Sequence, residues 1–450
     1  MFFIHIEIIY IFKKIKSIIN MNKKLFSILF VLSILIDAVP CKNLASLGAV
    51  NITIDSDNES AFIDAVKKMS SNGGVVYVKT RVIHISTKST IKLSGSASGG
   101  IVGQAVDGAY PIINFKNARN AGSTARGFTI DGTNKYMKFL IIEMAGDNGI
   151  WVSGANNVLE HIITRYNNDS GIQLSDNAAS NTLTYCYSYR NCDVKTYGAN
   201  ADAFAPKLGA TNTKFKYCFG WDNSDDGWDS YDKEGDYSAR VEYLNSACWN
   251  NGNPDVFTGK YDYDNGKKLD KNMWTVQYLI SSDSNFESNY NNKKFAISSN
   301  AKIAGVKASD WLAQAQGEMN GNGFKFGSKT TAQSTKVYRK AVYSVAFDHK
   351  SKGFDNNNSK GCTGYIANCV SFNNNINYQL PYVFEKWASN WSWNPKKSHQ
   401  SQQDQGLHYP SSASSATKSF YAIRDKIIAN CQACKFDDSL NFDNTIKSLS

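Results

Sequence analysis

From residue 139 onward a glycine or alanine set in a short apolar segment recurs along the chain. It appears as Gly149 in NGIWV, Gly171 in SGIQL, Ala203 in DAFAP, Gly227 in DGWDS, Gly323 in NGFKF and Gly353 in KGFDN. Successive intervals are 22, 32, 24, 96 and 30 residues. A second series, CYSYRN (186–191), CFGWDN (218–223), CWNNGN (248–253) and CVSFNN (369–374), runs in step with it: Cys218 precedes Gly227 by nine residues, as Ser344 precedes Gly353. A unit of this length cannot bury its own apolar face, so the units must stack on one another. The expected fold is all-β, a parallel β-helix (solenoid) of short strands joined by Asn-rich turns. A β-sandwich, the alternative, would not repeat in register. The cysteines of the second series are expected to pack inside the coils.

Composition supports many short strands. Aromatic residues make up 13 %, charged residues only 20 %, and there are 7 prolines in 450 residues. Residues 21–41 read as a secretory signal, with Lys23 and Lys24 before an apolar run from Leu25 to Ile36 that is too short to span a bilayer. Met21 is the expected true start; a single long signal-anchor over residues 1–41 is the alternative. Beyond residue 41 there are 44 basic and 37 acidic residues, a net +7. That favours an anionic partner, yet no Arg/Lys-dense block points to nucleic acid. A secreted, extracellular monomer with no membrane segment after signal removal is expected.

The chain divides into residues 42–138, an N-terminal cap with the first coils, and residues 139–410, the solenoid proper. In the first, ESAFIDAVKKMSSNGGVVYVKT (59–80) spaces Phe62, Ala65, Val66 and Met69 as one helix face before turning into a strand at Gly73-Gly74. The 96-residue gap marks residues 253–320 as a large loop insertion with a short helix near ASDWLAQAQG. SSASSATKS (411–419) reads as a flexible stretch before a helical tail from Phe420 to about Cys431, within a terminal segment 411–450. Cys431-x-x-Cys434 has no partner pair for a metal and reads as a local disulfide or two free thiols.

NSDDGWDSYD (223–232) holds four aspartates in ten positions. Asp202 stands one residue before Ala203 as Asp226 stands one before Gly227, so stacked coils place the two side by side, about 4.8 Å apart. Asp202, Asp225, Asp226 and Asp229 then converge as hard oxygen donors suited to calcium. Asp222, Ser224, Asp226 and Gly227 imitate the start of an EF-hand loop, but position 12 is Lys233 rather than Glu. Asp222 and Asp232 read as turn residues. Lys325 follows Gly323 by two residues as Asp229 follows Gly227, which puts it on the same face one coil on. With no evident carboxylate of its own, it is a candidate general base; position alone leaves a solvent-facing strand lysine equally open.

NADAFAPK (200–207), DNSDDGWDSY (222–231), NNGN (250–253), NGNGFKFG (320–327) and SKGFDNNN (351–358), in this order, resemble the family 9 polysaccharide lyases, pectate lyases of right-handed parallel β-helix fold. The likeness covers roughly residues 140–380. It implies calcium bound by Asp202, Asp225, Asp226 and Asp229, Lys325 as the base that removes the C5 proton of polygalacturonate, and β-elimination to 4,5-unsaturated products. Ala203 stands where the family usually has Gly. Lys352, with Lys350 behind it, is a candidate for holding further substrate carboxylates; a solvated turn is the alternative for both. Two other functions remain open. A polygalacturonase-type hydrolase would carry Gly-His-Gly and Arg-Ile-Lys motifs, which are missing here, and a non-catalytic calcium-binding β-helix adhesin would have no use for Lys325.

Overall fold

The structure, a computed structural model, describes residues 50–432 apart from 87–89, 122–124, 234–236, 238, 329–331, 333–335, 382–384, 398–406 and 410–412. The signal-like segment, Cys41 and the Cys431 and Cys434 thiols lie outside the described residues.

The chain winds as a parallel β-helix. A nine-stranded parallel sheet runs from Ile91–Leu93 to Ile376–Gln379, and a twenty-stranded sheet supplies the other two faces of the coil. Two long strands, Lys135–Glu143 and Val158–Arg165, join those faces by pairing with both series. Each bends at a residue of positive φ, Phe139 (58°) and His161 (53°), and the later coils turn at Tyr185, Tyr217, Asn245, Tyr343 and Asn368 in the same conformation. Inside, Phe204, Trp228, Phe324, Phe354 and Tyr378 stack on successive coils with ring centroids 4.9, 4.6, 4.8 and 5.0 Å apart. The first four rings lie one residue past Ala203, Gly227, Gly323 and Gly353, and Tyr378 continues the stack, which converts the sequence period into a continuous apolar column.

The Asn-rich turns do more than reverse the chain. Asn167, Asn191, Asn223 and Asn251 are fully buried. The backbone N–H of Asn167 donates to Asn191 Oδ1 at 3.1 Å, that of Asn191 to Asn223 Oδ1 at 3.2 Å, and that of Asn223 to Asn251 Oδ1 at 2.9 Å. His349 takes the next rung, accepting from the Asn251 N–H through Nδ1 at 3.4 Å. This ladder satisfies buried backbone donors and holds the turn that leads into the nine-stranded sheet.

The N-terminal helix spans Glu59–Asn72, is capped by Asn58, and buries Phe62, Ala65, Val66 and Met69. The six described cysteine side chains are free and buried, and burial raises the thiols of Cys186, Cys192, Cys248, Cys362 and Cys369.

Two expectations are corrected. The 253–320 insertion is not a loop: it folds into helices Pro254–Thr258, Lys260–Asp264, Trp274–Ser282, Phe286–Asn291 and Ala308–Glu318 plus a small hairpin. Val256, Phe257, Trp274, Val276, Leu279 and Trp311 form its own apolar cluster, which reaches Met144, Tyr166 and Val194 on the coils. The indoles of Trp274 and Trp311 donate to the carbonyls of Tyr166 (2.6 Å) and Val194 (2.9 Å), fixing the insertion against the turns before the nine-stranded sheet. The stretch 411–419 is not a flexible lead-in throughout, because the C-terminal helix starts at Ala413 and runs to Gln432. Phe420, Ile423 and Ile427 are buried on an outer aromatic face, with Phe420 5.3 Å from both Phe372 and Trp393. Once that turn is docked, extending the helix backwards adds a hydrogen bond per residue without a new nucleus.

Candidate metal and catalytic site

Register builds the site. Phe204 pairs with Trp228, which sets Asp202 beside Asp226, and Asp229 pairs with Lys325 on the following strand. The Asp226 N–H donates to Asp202 Oδ1 at 3.1 Å. Asn322 donates to Asp226 Oδ1 through both its N–H and its side chain, each at 2.7 Å. Gly227 makes this approach possible: a Cβ there would stand 2.7 Å from both Cys248 Cβ and the Gly323 carbonyl oxygen. Ala203, the departure from glycine, is accommodated from the other side. The facing residue is Gly220, whose own Cβ would meet Ala203 Cβ at 2.5 Å.

Asp202, Asp226 and Asp229 are buried, and one carboxylate oxygen of each lies within 4.8 Å of the others. Asp225 falls outside that group and accepts from the Asn200 N–H at 3.1 Å. Lys325 does have carboxylate partners, contrary to expectation: its Nζ is 3.0 Å from Asp226 Oδ2 and 3.3 Å from Asp229 Oδ1. The coil period places Lys325 one rung past these aspartates, but it does not show that the lysine side chain turns back to pair with them. Lys207, which sequence reasoning passed over, closes the other side, 3.2 Å from Asp202 Oδ2 and 3.4 Å from Asp229 Oδ2. A signal for it existed: Lys207 is two residues past Ala205, which faces Asp229 across the sheet, and alternate strand residues share a face.

Burial by itself would strip the proton from Lys325, but Asp226, Asp229, Asp225 and Asp202 outweigh it and hold the ammonium well above its ordinary value. Burial pushes Asp226 up to about 7 against the pull of Lys325, and pushes Asp202 well above the usual carboxylate range against Lys207. Burial also raises Asp225. On Asp229 burial acts in the same sense, yet Lys325 and Lys207 together overcome it and hold the carboxyl low. Four carboxylates face two ammonium groups, so full ionisation leaves a charge that one divalent cation matches. Asp229 Oδ1 is buried and, among the described residues, meets only the Lys325 ammonium, at 3.3 Å and outside hydrogen-bond geometry. An all-oxygen, net-negative donor set of this kind fits calcium.

The remaining candidates have other partners. Lys352 Nζ lies 2.8 Å from Asp355 Oδ2, and Asp355 pairs with Lys325 in register, so this ion pair sits one coil past the lysine. Lys350 Nζ donates to the Gln316 carbonyl on the insertion at 2.5 Å. Asp222 and Asp232 do more than shape a turn: they pair with Arg190 at 3.3 Å and with the buried Arg339 at 3.1 Å.

Fold and site together define a parallel β-helix with a buried aspartate–lysine centre on its nine-stranded sheet. The chain belongs to the Pel9A-like right-handed β-helix family, whose characteristic region matches residues 50–307. It is 31 % identical over 273 residues to pectate lyase L of Paenibacillus polymyxa (strain SC2), covering 57 % of this chain and 59 % of that protein. It is 30 % identical over 253 residues to pectate lyase L of Dickeya chrysanthemi, covering 56 % of this chain and 44 % of the relative. The chain thus spans about half the length of these relatives. Among solved structures, pectate lyase Pel9A superposes with a TM-score of 0.51 at 22 % identity, over 77 % of this chain and 74 % of that one. A rhamnogalacturonan lyase superposes with a TM-score of 0.54 at 15 % identity, over 80 % and 86 %. Both likenesses concern the fold.

Proposed function

We propose that this protein is a secreted, calcium-dependent pectate lyase that cleaves polygalacturonate by β-elimination. The carrying observation is the register pairing of Lys325 with Asp229 beside Asp202 and Asp226, which sets a lysine amine against a carboxylate cluster able to hold a cation. The pectate lyase names of its relatives support the substrate class. The apolar run after Lys23 and Lys24 supports secretion.

Asp202, Asp226 and Asp229 would hold the calcium ion, with Lys207 fixing the outer oxygens of Asp202 and Asp229; Asp225, which lies outside that cluster, would join them by turning in from the Asn200 N–H. When bound, calcium supplies the positive charge that stabilises negative charge building on the C6 carboxylate of the substrate. Lys325 acts as an uncharged amine. Its proton is held by Asp226 and Asp229, so it is released when those carboxylates are engaged elsewhere and the pH is alkaline. The amine takes the C5 proton, the C5–H electron pair becomes the C4=C5 double bond, and the C4–O bond breaks. The departing oxygen collects a proton from water.

The geometry disfavours hydrolysis. A glycosidase sets a carboxylic acid and a second, nucleophilic or water-activating carboxylate about the scissile bond; here Asp202, Asp226 and Asp229 are each paired with Lys207 or Lys325. The test is to incubate the protein with polygalacturonate at alkaline pH and follow the ultraviolet absorbance of unsaturated products, with and without a chelator. New absorbance abolished by chelation is expected. Reducing ends without absorbance would mean hydrolysis, and neither signal would leave a binding protein.

A further inference from the structure

The nine-stranded sheet carries one file of residues along the coil axis. Trp151 pairs with Gln173, Gln173 with Ala205, Ala205 faces Asp229, and Asp229 pairs with Lys325. Their neighbours Ile150, Val152, Ile172 and Leu174 are fully buried in the interior, so this file occupies the outer face. Trp151 stands three strands before Asp229, about 14 Å away at the usual strand spacing.

Arg126, at the turn one coil earlier, lays its guanidinium on the Trp151 ring, 3.5 Å from the centroid. Asp147 Oδ2 lies 3.6 Å from its Nε. Among the described residues the guanidinium makes no hydrogen bond, and buried Nε has only the longer ion pair to Asp147. Other arginines of this protein spend their donors on it: Arg339 on the Phe326 carbonyl and Asp232, Arg190 on Asp222, Asp262 and Asp270, and Arg165 on Glu143 and Tyr189. Arg126 is therefore oriented by stacking and by the Asp147 carboxylate at Nε, while the two terminal amino groups of its planar fork make no hydrogen bond among the described residues. Such a fork matches a carboxylate, and a donor already fixed in place loses little freedom on binding.

We propose that Arg126, seated on Trp151, is a distal subsite that takes the carboxylate of a uronate residue in the same polymer chain whose reacting residue lies at Lys325. It makes the protein prefer long substrates to short ones. The inference rests on the proposed reading of the Lys325 centre as a polyuronate site.

The test is a length series. With Arg126→Ala, KM on polygalacturonate is expected to rise about tenfold or more with kcat retained, as follows from losing hydrogen bonds to a charged group. On trigalacturonate neither constant should move. An equal loss on both lengths, or no loss on the polymer, overturns the inference. Arg126→Lys, which keeps the charge and loses the stacked fork, should show the same split and serves if the alanine variant does not fold. A second arm needs no turnover. Lys325→Ala protein is titrated with tri- and octagalacturonate in calcium, with and without Arg126→Ala. The octamer should lose affinity while the trimer does not; an octamer that binds no tighter than the trimer before the Arg126 change overturns the proposal. This arm decides the subsite even if the native protein cleaves nothing, an outcome that would instead sink the proposed reaction.

Discussion

Lys325 faces Asp229 across one strand pair, with Nζ 3.3 Å from Asp229 Oδ1 and 3.0 Å from Asp226 Oδ2. The lysine and a bound cation would therefore compete for the same oxygens: the ammonium form of Lys325 occupies what a cation would bind. Lys325→Ala should separate the two roles. Turnover on polygalacturonate is expected to fall by about 10²–10⁴-fold, the usual contribution of a general base. Calcium affinity, read by calorimetric titration, should stay the same or rise because a competing positive charge is gone. Full lyase activity in this variant would refute Lys325 as the base.

Lys207 should act on stability more than on chemistry. Its Nζ lies between Asp202 and Asp229, both buried. Lys207→Met leaves these carboxylates without their cation, and breaking a buried pair from one side costs about 3–5 kcal/mol. Chemical denaturation in chelator should show that loss, and saturating calcium should restore most of it. An equal loss with and without calcium would mean that Lys207 supports the fold independently of the cation site.

How much of this was legible beforehand depended on whether a residue's role follows from register. The recurring Gly and Ala positions set the coil period, so Asp202 could be placed beside Asp226 and Lys325 beside Asp229 without coordinates. Lys207 was legible only in part: strand alternation puts it on the face of Ala205, but its role depends on a long side chain reaching back to Asp202, five residues earlier in the chain. The insertion misled for another reason: its Asp, Asn and Lys content reads as loop, while its order comes from Trp274 and Trp311 docking on carbonyls of distant coils. The asparagine ladder was visible as spacing but taken for turn chemistry. Asn167, Asn223 and His349 each stand four residues before a recurring glycine, a regularity that independent turns do not require.

Calcium should stabilise the protein more in alkali than in acid. Burial pushes Asp226 up to about 7 and Asp202 well above the carboxylate range, whereas in an unfolded chain aspartate ionises near about 3.9. The folded state thus holds extra protons above that lower value, and the stability they contribute falls as pH rises through the folded pKa. A cation must displace the same protons, so its binding strengthens over the same window. The calcium-induced rise in Tm should be small near about pH 5 and larger near about pH 8, since stabilisation by a ligand grows with its affinity. A rise of equal size at both pH values would place the bound cation away from Asp202 and Asp226.

The exchange of small residues between Ala203 and Gly220 makes the sharpest packing prediction. Elsewhere along this column the glycine is on the nine-stranded sheet and faces a side chain, as Gly227 faces Cys248 and Gly323 faces Ala346. At Ala203 the pair is reversed, and a Cβ on Gly220 would lie 2.5 Å from the Ala203 methyl. Gly220→Ala alone should therefore destabilise the fold by about 1–3 kcal/mol through overpacking. Adding Ala203→Gly should recover most of that loss, a coupling that a double-mutant cycle by urea denaturation measures directly. Because Ala203 follows Asp202 in the chain, the crowded single variant should also bind calcium more weakly, and the double variant should regain affinity together with stability. Additive effects of the two substitutions would show that the methyl and the glycine do not share the space.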